Sequence, residues 1–232
     1  MLEIDILAVV PGLLEGPFSH SILARAAERN LLHVRVIDLR QFGIGQYNQI
    51  DDYAYGGGAG MVLMPVPLAQ AIRQLTSEKD YDEIIYLTPD GVRLTQSIAN
   101  QLSLKSRLLL ICGHYKGIYE RIRQQFVTRE ISIGDYVLSG GEIAAAVLVD
   151  AIGRLIPGVL NDETSALTDS FQDNLLAPPV YTRPADWEGL KVPDILLSGH
   201  EARIEEWRYD QSILRTRERR PDLLEDDEDH HS

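Results

Sequence analysis

The sequence predicts an α/β fold, a mostly parallel sheet with helices on both faces, followed by a small helical domain. Three observations carry that expectation. Short apolar runs rich in β-branched residues alternate with segments of helical period, the order of a parallel sheet whose crossovers are helices. Glycine-bearing loops adjoin the ends of several of these runs, where open α/β sheets bind ligands. After Pro157 and Gly158 the alternation stops, and a polar stretch leads to proline-punctuated sequence and two further helical stretches.

The elements follow in order. Residues 2–9 read as a first strand, with Glu3 and Asp5 set into an otherwise apolar run. A helix over 19–30 is expected next, with Ser19 as its N-cap. Strand 32–39 precedes a helix over 67–75, where Pro67 suits the first turn. Strand 83–88, helix 95–102, strand 107–112, helix 117–126 and strand 127–133 complete the alternation. Helix 142–156 is of another kind, because Ala144, Ala145, Ala146, Val147, Leu148, Val149, Ala151 and Ile152 surround it with apolar atoms. Such a helix belongs in a core or against another subunit. Residues 1–160 are thus a first domain and 161–177 a linker. Residues 178–221, with helical stretches at 199–210 and 211–219, make a small second domain. An acidic tail, 222–232, is expected to be disordered.

Composition narrows the function classes. With 44% hydrophobic and 25% charged residues in 232, the chain can bury a core without staples. Cys112 is its one cysteine, which excludes an internal disulfide and a cysteine-rich zinc site and fits a reducing, cytoplasmic setting. The first residues lack the basic start of a signal peptide, and no apolar run is long enough for a membrane span. The net charge of −13 argues against nucleic acid until its distribution is read. Six acids and no base lie between Asp222 and Asp229, nearly half of the excess. Just before them Arg203, Arg208, Arg215, Arg217, Arg219 and Arg220 face five acids, so a locally basic surface survives.

Four glycine loops carry the functional signal. Asp51 to Met61 holds four glycines in five positions, Gly56 to Gly60, but neither its spacing nor its ending is that of a P-loop. The others are Thr88-Pro89-Asp90-Gly91, Gly113-His114-Tyr115-Lys116-Gly117 and the run from Gly134 to Gly141. A pocket built from such loops is lined by backbone amides, carbonyls and apolar side chains. That suits a cofactor with an adenine ring better than a metal. The histidines are scattered without ligand spacing, so no metal site is expected. Cys112, inside an apolar run, reads as a small buried hydrophobe.

Seven strings then become specific: DDYAYGGGAGMVL, GHYKGIYERI, ISIGDYVLSGGE, DAIGRLIPGVL, DSF, YTRPADWEG and VPDILLSG. In this order and at these separations the chain resembles the bacterial tRNA (guanine-N1)-methyltransferases of the SPOUT class over about residues 1 to 221. The resemblance implies methyl transfer from S-adenosylmethionine to N1 of the guanine immediately 3′ of the anticodon. It also implies a homodimer with composite active sites and a C-terminal trefoil knot in the first domain, with residues 178–221 binding tRNA. Carried over residue by residue, Thr88, Pro89, Gly113, Tyr115, Ile133, Gly134, Tyr136, Leu138, Gly140 and Gly141 would touch the cofactor. Asp169 would be the general base and Arg154 the stabiliser of charge on O6.

Two departures stand out. Lys116 and Tyr119 replace two carboxylates of the family's usual loop, which leaves the need for magnesium open, and Gln46-Tyr47 takes the place of a family histidine. The rival readings are a SPOUT enzyme acting on another RNA position, such as a ribose 2′-hydroxyl, and an RNA-binding module whose catalysis has lapsed.

Overall fold

The computed structural model describes residues 1–160 and 169–225, and the chain divides into two compact units, Met1–Glu163 and Thr164–Ser232. What the sequence suggested for 161–168 and 226–232 lies outside the described residues. Among the described residues no helix is long and apolar enough to cross a membrane.

The first unit is built on a five-stranded parallel sheet in the order β2-β1-β6-β5-β7, made of β1 (Leu2–Ala8), β2 (Leu32–Asp38), β5 (Glu83–Arg93), β6 (Arg107–Cys112) and β7 (Arg129–Ser132). The central strands are continuous apolar runs because both faces are covered. In β6, Leu108, Leu110 and Cys112 belong to one apolar cluster and Leu109 and Ile111 to the other, the period of two in a strand. On the first side lie α1 (Ser21–Glu28), α3 (Gln96–Ser103) and α5 (Glu142–Gly153), contributing Leu23, Leu102, Leu148 and Ile152. On the second lie α2 (Pro65–Glu78) and α4 (Glu120–Phe126), contributing Leu68, Ile72, Leu75 and Ile122. Each such side chain, fully buried, contributes about 1.5–3 kcal/mol relative to exposure.

Several boundaries differ from those expected, each for a local reason. Ser19 does not cap α1; its hydroxyl donates to the Gly16 carbonyl, and His20 stands at the cap position. Part of the glycine-rich stretch after Ile50 is paired rather than open: β3 (Asp51–Tyr53) and β4 (Met61–Leu63) form an antiparallel hairpin around it. Residues 117–119, expected to begin a helix, instead extend along β4. Leu63 N–H donates to the Gly117 carbonyl, Tyr119 N–H donates to the Leu63 carbonyl, and α4 starts only at Glu120.

The strand expected to end at Thr88 resumes after a register shift. Val92 and Arg93 pair with Ile131 and Ser132, so Thr88 to Gly91 is a bulge inside β5. Gly91 makes that possible, since a Cβ there would stand 2.6 Å from the Ile131 nitrogen.

In the second unit the hairpin of β8 (Asp186–Trp187) and β9 (Leu190–Lys191) precedes the helical turn α6 (Asp194–Leu197) and the long helix α7 (Glu201–Arg219). The two stretches expected at 199–210 and 211–219 are one helix, because nothing at Asp210-Gln211 breaks it. The later part of the expected linker is tied down. Leu176 N–H donates to the Thr216 hydroxyl at 2.8 Å, Ala177 N–H donates to Ser170 Oγ at 2.9 Å, and the Arg220 guanidinium lies 5.7 Å from the Phe171 ring centre. The acidic tail begins with a helical turn, α8 (Asp222–Glu225), with Asp222 ion-paired to Arg220.

Candidate active site

The bulge inside β5 and the stretches that follow β6 and β7 meet around a cavity of about 450 Å³, a size suited to a cofactor. The first unit alone builds it. β6 delivers Gly113, where a Cβ would come within 2.9 Å of the Tyr86 ring, so glycine there leaves room for that ring. The turn that follows holds Tyr115 at φ +58° and Gly117 at φ +115°, closed by Gly117 N–H donating to the His114 carbonyl. The chain leaving β7 returns to this turn: Gly140 pairs with His114, and Gly141 N–H donates to the Gly113 carbonyl at 2.7 Å. Gly141 is required by that approach, since its Cβ would stand 2.8 Å from both Cys112 Cα and the Gly113 nitrogen.

All ten residues expected to touch the cofactor line this cavity: Thr88, Pro89, Gly113, Tyr115, Ile133, Gly134, Tyr136, Leu138, Gly140 and Gly141. Asp90, Tyr86 and Arg123 line it too; the sequence pointed to Asp90 only as part of a glycine loop and to Tyr86 and Arg123 not at all. The Arg123 guanidinium donates to Glu130 at 2.6 and 2.9 Å and to Asp90 at 2.9 Å, and it lies 5.3 Å from the Tyr86 ring centre. One side chain from α4 therefore fixes the β5 bulge against β7. The Thr88 hydroxyl, then Arg123, hold the Asp90 carboxyl below the usual carboxylate range, while burial pushes the Tyr86 phenol up.

Behind the cavity Glu142, 0% exposed, opens α5. Its Oε1 accepts from the Val9 and Val10 N–H groups at 3.0 and 2.9 Å, which binds the end of β1 to the helix start. Cys112 is fully buried, and burial pushes its thiol well up, so it is an inert hydrophobe and no nucleophile.

The two residues expected to do the chemistry stand elsewhere. Arg154, half-buried, caps the carboxyl end of α5 outside the cavity lining, and Asp169, half-buried, belongs to the second unit. Among the described residues no group of three or more His, Cys, Asp or Glu could hold a metal ion. The cavity thus offers backbone amides and apolar walls in a concave site, which can bind an adenosyl group.

Comparison with known proteins agrees over nearly the whole chain. The model of the family described as tRNA (Guanine-1)-methyltransferase TrmD matches residues 2–226. The tRNA (guanine-N(1)-)-methyltransferase of Christiangramia forsetii is 58% identical over 226 residues, 97% of this chain and 100% of the relative. That of Cytophaga hutchinsonii is 58% identical over 224 residues, 97% of this chain and 95% of the relative. That of Bacteroides thetaiotaomicron is 57% identical over 225 residues, 97% and 100%.

Proposed function

The chain belongs to the tRNA (guanine-1)-methyltransferase family, and we propose that it methylates N1 of the guanine immediately 3′ of the anticodon in tRNA, with S-adenosylmethionine as methyl donor. The observation that carries this reading is the cavity between the β5 bulge and the stretches that follow β6 and β7, walled by glycine turns and backbone amides. The residues present fit the cofactor. Gly113, Gly140 and Gly141 let the segments of the wall close on their protein neighbours, where a Cβ would collide with Tyr86, with Glu142 and His114, and with Cys112 in turn, and Leu138, Ile133 and Pro89 offer apolar walls to an adenine ring. When bound, the cofactor supplies a methyl group already activated on a sulfonium, so the protein needs no nucleophile of its own.

The protein's work is on the acceptor. N1 of neutral guanine bears a proton, and its lone pair is unavailable until that proton leaves. Asp169 takes the proton as general base. Negative charge then gathers on O6, and the Arg154 guanidinium stabilises it where it develops.

The two residues lie in different units of one chain, and the reading unites them across a two-fold homodimer. Support comes from α5, whose buried side faces the sheet while Ile143 and Val147, 45% and 43% exposed, present apolar atoms for a partner. We also propose the trefoil knot. It is supported by the path after the edge strand β7, which returns inward to pair Gly140 with His114 before α5 packs on β1 and α1.

Asp169→Asn tests the assignment. Affinity for S-adenosylmethionine should stay within about twofold of wild type, while methyl transfer falls by about 10² to 10⁴, the range of losing a general base. Parallel losses of cofactor affinity and rate would make Asp169 a structural residue.

A further inference from the structure

We propose that Arg123 is a positioning residue that holds the walls of the donor cavity in their binding arrangement before the donor arrives, an inference that rests on the S-adenosylmethionine reading above. The walls come from separate stretches of chain: the β5 bulge, β7 with the stretch after it, and the turn after β6. Backbone pairing does not tie the bulge down, because the register of β5 on β7 passes from Leu87 directly to Val92.

One guanidinium reaches all three. Arg123 donates to Glu130 of β7 from Nε at 2.9 Å and from Nη2 at 2.6 Å, and the same Nη2 donates to Asp90 of the bulge at 2.9 Å. Asp90 in turn accepts from the Thr88 hydroxyl, so two bulge residues are held. The guanidinium carbon lies 5.3 Å from the Tyr86 ring centre, within reach of a cation–π contact. That ring fills the space left by glycine in the turn after β6, since Cβ positions at Gly113 and Gly117 would stand 2.9 and 3.1 Å from the Tyr86 hydroxyl oxygen.

The arrangement depends on one charge. Without the guanidinium, the carboxylates of Asp90 and Glu130 would repel each other across the gap that the bulge must close. The Arg123 side chain is 22% exposed and that of Glu130 31%, so their pair is screened less than one on the open surface. Global stability rests on the two apolar clusters, to which Arg123 does not belong, so its loss is felt at the bulge rather than throughout the fold. A lysine, as a point charge, cannot reproduce the planar two-point grip.

Two measurements on the intact protein without RNA test this. Hydrogen exchange of the amides from Thr88 to Arg93, read without donor, should quicken in Arg123→Met and Glu130→Gln while β1 and β6 exchange as in wild type. Unchanged exchange at the bulge would overturn the proposal whatever the ligand does. Calorimetry with S-adenosylmethionine then reads the cavity. Arg123→Met should bind it about ten- to a hundredfold more weakly, the scale of a small displacement in a preassembled site, and Arg123→Lys should fall between. Glu130 supplies the decisive variant because it lies outside the cavity lining. Glu130→Gln keeps the arginine but removes its grip, so affinity should fall at least about fivefold, and adding it to Arg123→Met should cost nothing further. Full affinity in Glu130→Gln beside a loss in Arg123→Met would make Arg123 a direct ligand contact and overturn the proposal, as would losses that multiply. Melting temperatures should fall by no more than about 4 °C, and a larger fall with exchange quickened throughout the sheet would make Arg123 an ordinary structural residue. Failure of wild type to bind S-adenosylmethionine, with the exchange result standing, would instead count against the methyltransferase reading itself.

Discussion

Gly141 shows how far single atoms set this site. Its backbone donates to Gly113 at 2.7 Å while its missing side chain leaves room for Cys112 Cα. Gly141→Ala must push apart two backbone segments, and overpacking of that kind costs about 1–3 kcal/mol. Chemical denaturation should show that loss, and affinity for the donor should fall at least about tenfold, because the same displacement opens the cavity wall. Gly16→Ala is the matched control: nothing lies within 4 Å of its Cβ position, and stability should change by less than about 0.5 kcal/mol. The loops that build the cavity were legible in the sequence because glycine strings after apolar runs mark places where backbone, not side chain, meets a ligand; the ten residues in and beside them came from the family resemblance, and all ten line the cavity. The association of Arg123, Asp90 and Tyr86 was not legible, since it joins α4, β5 and β7 and leaves no local pattern.

At the scale of elements, the alternation of strands and helices was legible because each central strand is buried on both faces and each helix on one. The bulge in β5 was hidden by Pro89 and Gly91, which punctuate the sequence as a loop although the strand resumes beyond them. The β3–β4 hairpin was hidden because its three-residue strands flank a glycine run that dominates the pattern.

The edge of the sheet away from the cavity carries an ion cluster that fixes the pairing of β1 with β2. Asp5, 1% exposed, accepts from Arg35 at 2.7 and 2.9 Å, from the Tyr81 hydroxyl, and lies 3.1 Å from Lys79. Burial alone would raise the Asp5 carboxyl, but the hydrogen bonds from Arg35, Tyr81 and Lys79 outweigh it and leave it lowered. A carboxyl lowered in the folded state contributes stability above its unfolded pKa and loses it as pH falls through the folded value. Asp5→Asn should therefore cost about 1–3 kcal/mol in urea unfolding at pH 7, and that difference should shrink as pH falls below the ordinary carboxylate range. A penalty that persisted undiminished in acid would show that shape, not charge, fixes this edge.

For the whole molecule, the proposed arrangement is a dimer whose sites draw on both chains. Gly140→Trp should disable the cavity of its own chain by forcing its wall apart, since even a Cβ there stands 2.5 Å from Glu142 Oε2 and 2.6 Å from His114 Nδ1. Mixed and refolded with Asp169→Asn, it should form heterodimers in which one site carries both defects and the other none. About a quarter of all sites then recover activity. If each chain builds its own site, every site keeps a defect and the mixture stays inactive.

The claim that donor cavity and tRNA chemistry belong to one enzyme is met most directly by mapping the product. Protein, methyl-labelled S-adenosylmethionine and a tRNA with guanine 3′ of its anticodon are incubated, and the RNA is digested and read by mass spectrometry. The account predicts N1-methylguanosine at that one position, lost when the guanine is replaced by adenine and lost with Asp169→Asn. Label on a ribose 2′-oxygen or on another base, or none at all although the donor binds, would contradict it.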